Sequence, residues 1–365
     1  MRILCVIDVI GTGGAQYQMI ELALGFEERG NEVTFLTYRR SHFFVPLLEQ
    51  AGICINCIEE SNYILRILKM IKYIRSGNFD CVLSFLEAPN FICEVAAFPL
   101  RKWKLIVGER SANPGISKSL KLIVYRWFHF FADYIVSNSD ANIQLVCKVN
   151  PFLKPAKCKV IYNIVNLHKW SLPGNFDFKK GLKLKLIVPS RHYYLKNLDG
   201  LLDALAMLKV EERNKIHIEW YGDRISEPYC DSSFPEGKLK MTKLGLNDVI
   251  SFYPATDKIN EIIKDADAVG LFSFYEGLPN SLCEAMACGK PIICSKVSDL
   301  PAFLKHDNKL LCNPSQIQSI KEALSYLISL DADQLKEIGT KNEKIAKEMF
   351  NRDLIISEYQ ELFRK

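Results

Sequence analysis

The chain has 365 residues, of which 48% are hydrophobic, so it is long enough for two domains with full cores. Its twelve cysteines are scattered, and its only Cys-x2-Cys pair, Cys54 and Cys57, has no histidines at zinc-site spacing. This argues against a disulfide framework. Asp8 interrupts a short N-terminal apolar run, and no stretch reaches the roughly twenty apolar residues of a membrane span, so we expect a cytoplasmic protein.

The positive charge is concentrated in the first half of the chain. Residues 1–170 hold 20 Lys and Arg against 14 Asp and Glu, whereas the remainder holds 27 against 28. A basic first half and a neutral second half suggest different partners. We expect no nucleic acid among them.

The first predicted strand, residues 2–9, ends in a glycine-rich loop that contains Gly13 and Gly14, and a helix follows to about Arg29. Glycine lets the backbone approach a phosphate closely, and a helix start favours an anion. A bare βα turn is the alternative, because the loop lacks the dinucleotide fingerprint and a Walker lysine. Strands and helices then alternate, which predicts a parallel sheet covered on both faces. The predicted strands here are 32–38, 53–58, 80–85 and 104–107, and the predicted helices are 43–50 and 64–75.

A polar loop with Glu109, Arg110 and Asn113 follows the strand at 104–107. It lies at the carboxyl edge of the sheet, where open α/β sheets bind ligands. The alternative is a plain polar loop with an X-Pro turn. Residues 118–132 predict one helix, for which we favour a place in the core over an interfacial helix on anionic lipid.

Strands at 133–137 and 159–162 complete the first domain, and the breaker-rich segment 172–181 predicts a linker. A second βα series opens with a strand at 183–189. Arg191 and Lys196 follow it, and two cations before a helix suit a diphosphate, with a chance surface pair as the alternative. His192 between them is interpreted as a polar loop residue.

The most informative stretch, residues 268–295, predicts a strand, a turn, a helix and a further strand. The helix starts near Asn280 and Ser281, where backbone N–H groups attract phosphate. Glu276 lies at the mouth of the turn, and Glu284, at i+4 from Asn280, could accept hydrogen bonds from the hydroxyls of a ribose. The alternative is a packed turn with two solvated glutamates. Asp265-Ala-Asp267 ends a helix and precedes a strand, so we interpret it as structural and not as a metal site.

The pattern Glu276-Gly-x-Pro-x4-Glu284-Ala-Met-Ala-x-Gly-x-Pro291 resembles the E-x7-E signature of family-four retaining glycosyltransferases of GT-B fold. The resemblance is closest to members that build bacterial surface polysaccharides. It implies two facing Rossmann-like domains, 1–170 on the acceptor side and 171–350 for the nucleotide sugar. A final helix, 351–365, is expected to cross back to the first domain.

The resemblance also implies roles for particular residues. Glu276 and the backbone of Gly277, Leu278 and Asn280 would orient the donor sugar, with Ser281 at the helix start and Glu284 on the ribose. Arg191 and Lys196 would hold the phosphates, and Gly13 and Gly14 would face the phosphates. The reaction would need no metal and no other cofactor. Glu109 and Arg110 stand where many relatives carry a histidine, so these two and Asn113 are candidates for the sugar or acceptor side.

The implied reaction moves a hexose or N-acetylhexosamine from a nucleoside-diphosphate sugar, which we expect to be a UDP sugar. The acceptor would be a polyprenyl-diphosphate-linked or other saccharide, and the protein could touch the anionic inner face of a bacterial membrane. A sugar-nucleotide epimerase of the same fold and a non-catalytic nucleotide-binding protein remain alternatives.

Overall fold

The computed structural model describes residues 1–111, 113–171, 183–224 and 231–364. The chain divides into two compact units: unit 1 is Met1–Ile164 with Arg352–Lys365, and unit 2 is Val165–Asn351. The sequence placed these boundaries after residues 170 and 350. Val165 belongs to unit 2, where its N–H donates to the carbonyl of Phe350 at 3.1 Å. The predicted linker, 172–181, lies outside the described residues.

Unit 1 is built on a sheet of seven parallel strands in the order β3-β2-β1-β4-β5-β6-β7. Successive residues of the central strand face opposite sides: Ile3 and Cys5 enter one core, and Leu4 and Val6 the other. A sheet buried on both faces needs near-continuous apolar strands, and those of this unit fit that description. The strands are β1 (Arg2–Val6), β2 (Glu32–Thr37), β3 (Cys54–Cys57), β4 (Cys81–Phe85), β5 (Lys104–Glu109), β6 (Tyr134–Ser137) and β7 (Cys158–Val160).

Helices cover both faces of this sheet. The α-helices of the unit are α1 (Gly14–Glu28), α2 (Val45–Gln50), α3 (Tyr63–Ser76), α4 (Glu87–Ala97), α5 (Leu120–Trp127) and α6 (Asp140–Val149), and the C-terminal α16 (Arg352–Arg364). Residues of α1, α2 and α16 share one core, and residues of α3, α4 and α6 share the other.

The C-terminal helix α16 packs directly on α1. The ring of Phe26 lies 5.1 Å from that of Phe363 and 6.4 Å from that of Tyr359, measured between centroids. Gly25 makes room for Ile356, because a Cβ at that position would overlap the isoleucine side chain. Tight aromatic and aliphatic packing of this kind makes α16 part of the core of unit 1.

Unit 2 has six parallel strands in the order β10-β9-β8-β11-β12-β13. Its strands are β8 (Leu184–Pro189), β9 (Ile216–Tyr221), β10 (Ile250–Tyr253), β11 (Ala268–Leu271), β12 (Ile292–Ser295) and β13 (Leu311–Cys312). Its helices are α7 (Leu167–Trp170), α8 (Leu198–Ala206), α9 (Val210–Arg213), α10 (Ser233–Lys243), α11 (Ile259–Lys264), α12 (Asn280–Ala287), α13 (Leu300–Phe303), α14 (Ile317–Ser329) and α15 (Ala332–Met349).

The structure differs from the prediction in one helix that is divided and in one helix that was not predicted. The single helix predicted over 118–132 is divided: a 3-10 turn at Pro114–Lys118 precedes α5, and another at Phe128–Phe131 follows it. Helix α4 was not predicted; Pro89 lies in its first turn, where proline is tolerated.

The contact between α1 and α16 gives a test of the packing. We expect Phe26→Ala to lower the free energy of unfolding of unit 1 by about 3 kcal/mol, because it leaves a cavity beside Tyr359 and Phe363. Urea unfolding measures the change. Leu100→Ala, at an exposed position of the same unit, is the control and should change the free energy by less than about 0.5 kcal/mol. Equal effects of the two substitutions would contradict the packing described.

Candidate functional site

Two loops meet at the carboxyl edge of the sheet in unit 2. Strands β8 and β11 are neighbours in the parallel sheet, so the segments that follow them emerge side by side. The N–H of Phe274 donates to the carbonyl of Leu195 at 3.0 Å, and the rings of Phe274 and Tyr194 stack at 5.1 Å. The loop that carries Arg191 and Lys196 is therefore fastened to the loop that carries Glu276.

Lys196 and Glu276 form an ion pair at this junction. The Lys196 Nζ lies 2.5 Å from Glu276 Oε1, and each side chain is 14% exposed. Burial lowers the pKa of Lys196, but the adjacent carboxylate of Glu276 outweighs it, so the pKa is raised and the ammonium remains charged. The resemblance implied separate roles for these two residues, and the structure brings them into contact.

Helix α12 begins directly after this pair. Pro279 occupies the position before the helix and has no side-chain acceptor to cap it, and its carbonyl accepts from the N–H of Leu282 at 3.2 Å and of Cys283 at 3.3 Å. Burial of the apolar face fixes the helix, while Asn280 and Glu284 are half-buried one turn apart. Gly277 and Leu278 thus lie in the short turn that leads into α12, and Ser281 lies in its first turn. Glu284 follows on the same helix.

The Arg191 side chain is exposed, on a loop whose backbone is fixed. The Trp220 indole N–H donates to the carbonyl of Ser190 at 2.7 Å. Gly222 lies so close to that carbonyl that any Cβ there would overlap it. The carbonyl of Ser190 therefore anchors the start of this loop.

His192 is not a polar loop residue, as the sequence suggested. Its ring stacks on Phe234 at 3.9 Å and lies near Trp220 and Phe252, both 5.6 Å away between centroids. Burial lowers the pKa of His192 to about 4, so the imidazole is neutral at pH 7. The His192 ring packs among these aromatic side chains and so anchors the loop that carries Arg191.

In unit 1, Gly13 and Gly14 lie at the start of α1, with Gly13 immediately before the helix. Sequence reasoning missed the polar cluster beside them. Asp8, at the end of the first strand, accepts from Gln16 Nε2 at 3.0 Å and from Arg39 at 2.5 Å. The signal available in the sequence was an aspartate, Asp8, at the end of an apolar run.

Glu109 lies in a buried ionic chain. Its carboxylate bonds to Arg126 at 2.9 Å and to His129 Nε2 at 3.0 Å, and His129 Nδ1 lies 2.5 Å from the carboxylate of Glu94. Burial lowers the pKa of His129, but the two glutamates outweigh it and raise the pKa to about 9. The imidazole is therefore protonated at pH 7 and links two carboxylates.

Arg110 and Asn113 follow in the same loop. The guanidinium of Arg110 lies 3.8 Å from the centre of the Phe85 ring and donates to the hydroxyl of Tyr359 at 2.6 Å. Asn113 Oδ1 accepts from the N–H of Gly115 at 2.8 Å and caps a 3-10 turn. Arg110 is thus held rigidly at the carboxyl edge of the sheet, and Glu109 and Asn113 likewise have partners within the protein.

The two aspartates at 265 and 267 serve the opposite edge of the unit 2 sheet, before β11. Asp267 accepts from the backbone N–H of Lys185 at 2.7 Å, and Asp265 pairs with the Lys185 ammonium at 3.2 Å. Within the described ranges, no group of three His, Cys, Asp or Glu residues could hold a metal ion.

Two family models match consecutive parts of the chain. Residues 12–169 match the model described as Glycosyltransferase Family 4, and residues 175–345 match Glycosyl transferases group 1. The first part of the chain thus belongs with family 4 glycosyltransferase domains and the second part with group 1 glycosyltransferase domains.

Relatives and solved structures agree with that membership. N-acetyl-alpha-D-glucosaminyl L-malate synthase of Bacillus anthracis is 21% identical over 96% of this chain and 93% of its own. A Campylobacter jejuni enzyme, N-acetylgalactosamine-N,N'-diacetylbacillosaminyl-diphospho-undecaprenol 4-alpha-N-acetylgalactosaminyltransferase, is 24% identical over 62% of this chain and 60% of its own. The structure of Anabaena HepE in complex with UDP-glucose superposes with a TM-score of 0.84 at 20% identity, covering 99% of this chain and 98% of that one. The two parallel-sheet α/β units have the GT-B fold.

None of the described helices is both long and apolar enough to cross a membrane.

The buried His129 gives a pH prediction. Its folded-state pKa of about 9 exceeds the value of 6.5 expected when unfolded, so its stabilisation is complete below pH 6.5 and lost as pH rises through 9. We expect the free energy of unfolding of unit 1 to fall by roughly 3 kcal/mol over that interval. Urea unfolding of wild type and His129→Gln measures this. The variant should lose the slope, and His168→Gln, at an exposed site in unit 2, should keep it.

Proposed function

We propose that the chain is a retaining glycosyltransferase that moves a hexose or N-acetylhexosamine from a UDP sugar to a lipid-linked oligosaccharide. The observation that carries this proposal is the Lys196–Glu276 pair, 2.5 Å apart, beside the start of α12. An ammonium, a second cation at Arg191 and a helix start without a side-chain cap offer positive charge to a diphosphate from three directions. The UDP-glucose complex of HepE and the diphospho-undecaprenol acceptor in the Campylobacter enzyme's name support the substrate classes.

In the proposed mechanism, Lys196, Arg191 and the N–H groups at the start of α12 neutralise the departing diphosphate, so that no metal or other cofactor is needed. Glu276 holds the ammonium of Lys196 in place and, with the backbone from Gly277 to Asn280, orients the donor sugar. Glu284 accepts hydrogen bonds from the ribose hydroxyls. Because the Glu276 carboxylate is paired with an ammonium, we favour attack on the same face as the leaving diphosphate over a carboxylate nucleophile.

The sugar and acceptor side falls to unit 1. Gly13 and Gly14 allow close backbone approach of a phosphate at the start of α1. Arg110 provides a rigid guanidinium, held by Phe85 and Tyr359, in place of the histidine of many relatives. Glu109 and Asn113 act by positioning the loop that carries Arg110. Glu109 anchors the start of this loop to Arg126, and Asn113 caps its end.

A nucleotide screen tests the proposal. We expect UDP to raise the thermal unfolding midpoint more than GDP or dTDP, and one UDP sugar to be turned over slowly to UDP. A polyprenyl-diphosphate saccharide should accelerate the release. Stabilisation without release, even with that acceptor, would favour a binding protein, and conversion to a new sugar without acceptor would favour an epimerase.

The lysine of the ion pair gives the sharpest variant. We expect Lys196→Met to lower kcat by about 10²–10³, because a charge that stabilises the leaving diphosphate is lost. Lys185→Met is the matched control: it removes a lysine that pairs with Asp265, from β8 at the opposite edge of the same sheet. The control should retain wild-type kcat, and an equal loss in both would point to misfolding instead.

The ribose contact gives a separate prediction. We expect Glu284→Ala to raise the KM for the donor about tenfold with a smaller change in kcat, since the ribose lies away from the breaking bond. Initial rates of UDP release measure both constants. Glu261→Ala removes an exposed glutamate from α11 in the same unit and should leave them unchanged. An unaltered KM in Glu284→Ala would remove this residue from the donor site.

A further inference from the structure

Helix α3 exposes an apolar stripe that no other part of unit 1 covers among the described residues. Its inner face is buried through Met70 and Ile74. On its outer face, Ile64 is 67% exposed and Leu68 is 55% exposed, one turn apart, and Leu65 beside them is 48% exposed. Large aliphatic side chains in contiguous exposed positions mark an interaction surface.

Helix α5 extends this stripe. The hydroxyl of Tyr63, at the start of α3, lies 3.2 Å from that of Tyr125 on α5. Leu120, at the start of α5, is 74% exposed, and Trp127 lies seven residues later on the same helical face. The indole N–H of Trp127 donates to the carbonyl of Val149 at 2.9 Å, which fixes the ring in an exposed position. We call the exposed faces of these two helices the α3–α5 surface.

The stretch of chain that carries α3 and α5 is rich in positive charge. Residues 63–159 contain 15 Lys and Arg but only 6 Asp and Glu. Of these acids, Glu94 and Glu109 are buried. The exposed Lys72, Lys118 and Lys121 make no ion pair with a described carboxylate. The cations beside the apolar stripe are therefore available to an external anion.

We propose that the α3–α5 surface binds the anionic face of a lipid bilayer, with its apolar side chains in the interface and its lysines on acidic headgroups. Charge complementarity favours this occupant, because exposed leucine, isoleucine and tryptophan flanked by unpaired lysines match an anionic leaflet. A second copy of the chain would bring like charges together on the same surface, which opposes self-association. The proposal rests on the proposed lipid-linked acceptor.

The position of this surface in unit 1 supports the assignment. Helix α3 follows β3, and α5 follows the loop after β5, so both helices begin at the carboxyl edge of the parallel sheet. That edge also carries Gly13, Gly14 and Arg110. A bilayer on the α3–α5 surface would therefore lie beside the edge to which we assign the acceptor.

Vesicle flotation tests the proposal with the full-length chain and without donor or acceptor. We expect the protein to float with vesicles of phosphatidylglycerol and phosphatidylethanolamine at low salt, to bind phosphatidylcholine vesicles at least tenfold more weakly, and to be released by 0.5 M salt, an ionic strength about three times physiological. Equal binding to neutral vesicles, or no binding to anionic ones, overturns it.

Two variants separate the apolar and ionic parts. Ile64→Ser with Leu68→Ser, and separately Lys118→Glu with Lys121→Glu, should each weaken binding to anionic vesicles about tenfold or more. The matched control on unit 2, Leu239→Ser with Lys336→Glu and Lys344→Glu, removes one exposed leucine and reverses two exposed lysines. It should bind as wild type, and equal losses in control and test variants overturn the assignment of the surface.

Two further readouts keep the outcomes distinct. Size-exclusion chromatography detects self-association: a wild-type dimer that Ile64→Ser with Leu68→Ser converts to monomer would assign the surface to a second copy and overturn the proposal. Thermal stabilisation by UDP reports the donor site and folding in every variant. Vesicle binding without UDP stabilisation supports the surface while the proposed function fails, whereas UDP stabilisation without vesicle binding rejects the surface alone.

Discussion

The ion pair between Lys196 and Glu276 is the interaction around which the loops at the carboxyl edge of unit 2 are arranged. It joins the loops after two neighbouring strands, and the parallel register of β8 and β11 is what brings those loops to one edge. The remaining contacts in the loops, from the stacked Tyr194 and Phe274 to the backbone bond at Leu195, keep that junction closed. A half-buried ammonium is stable there only because a carboxylate meets it.

Unit 1 also fixes a loop at the carboxyl edge of its sheet with ionic groups, but with a different arrangement. Instead of one pair, it buries a chain of ionic groups that runs from Glu94 through His129 and Glu109 to Arg126. The chain fixes the beginning of the loop that carries Arg110, and Tyr359 of the C-terminal helix fixes the guanidinium itself. The guanidinium of Arg110 is therefore held rigidly at the carboxyl edge of the sheet.

The sequence predicted the alternation of strands and helices, the parallel sheets, the GT-B fold and the C-terminal helix α16, because each rests on periodicity or a dense motif. It did not predict the contact between Lys196 and Glu276, which depends on strand order, a property that no local pattern carries. His192 was misread for a related reason: its neighbours Trp220, Phe234 and Phe252 come from other elements. The candidate residues could be identified one by one from the sequence, whereas the residues that they contact could be identified only from the folded structure.

The packing of α16 on α1 has a consequence for the order in which the protein is made. Phe26 and Gly25 are synthesised early, but Ile356, Tyr359 and Phe363, which cover them, are synthesised after the whole of unit 2. Unit 2 is continuous in the chain and can fold as it leaves the ribosome, as domains generally do. Unit 1 must keep part of its apolar face open until translation reaches the last helix, so the domain that begins the chain is the one that finishes folding last.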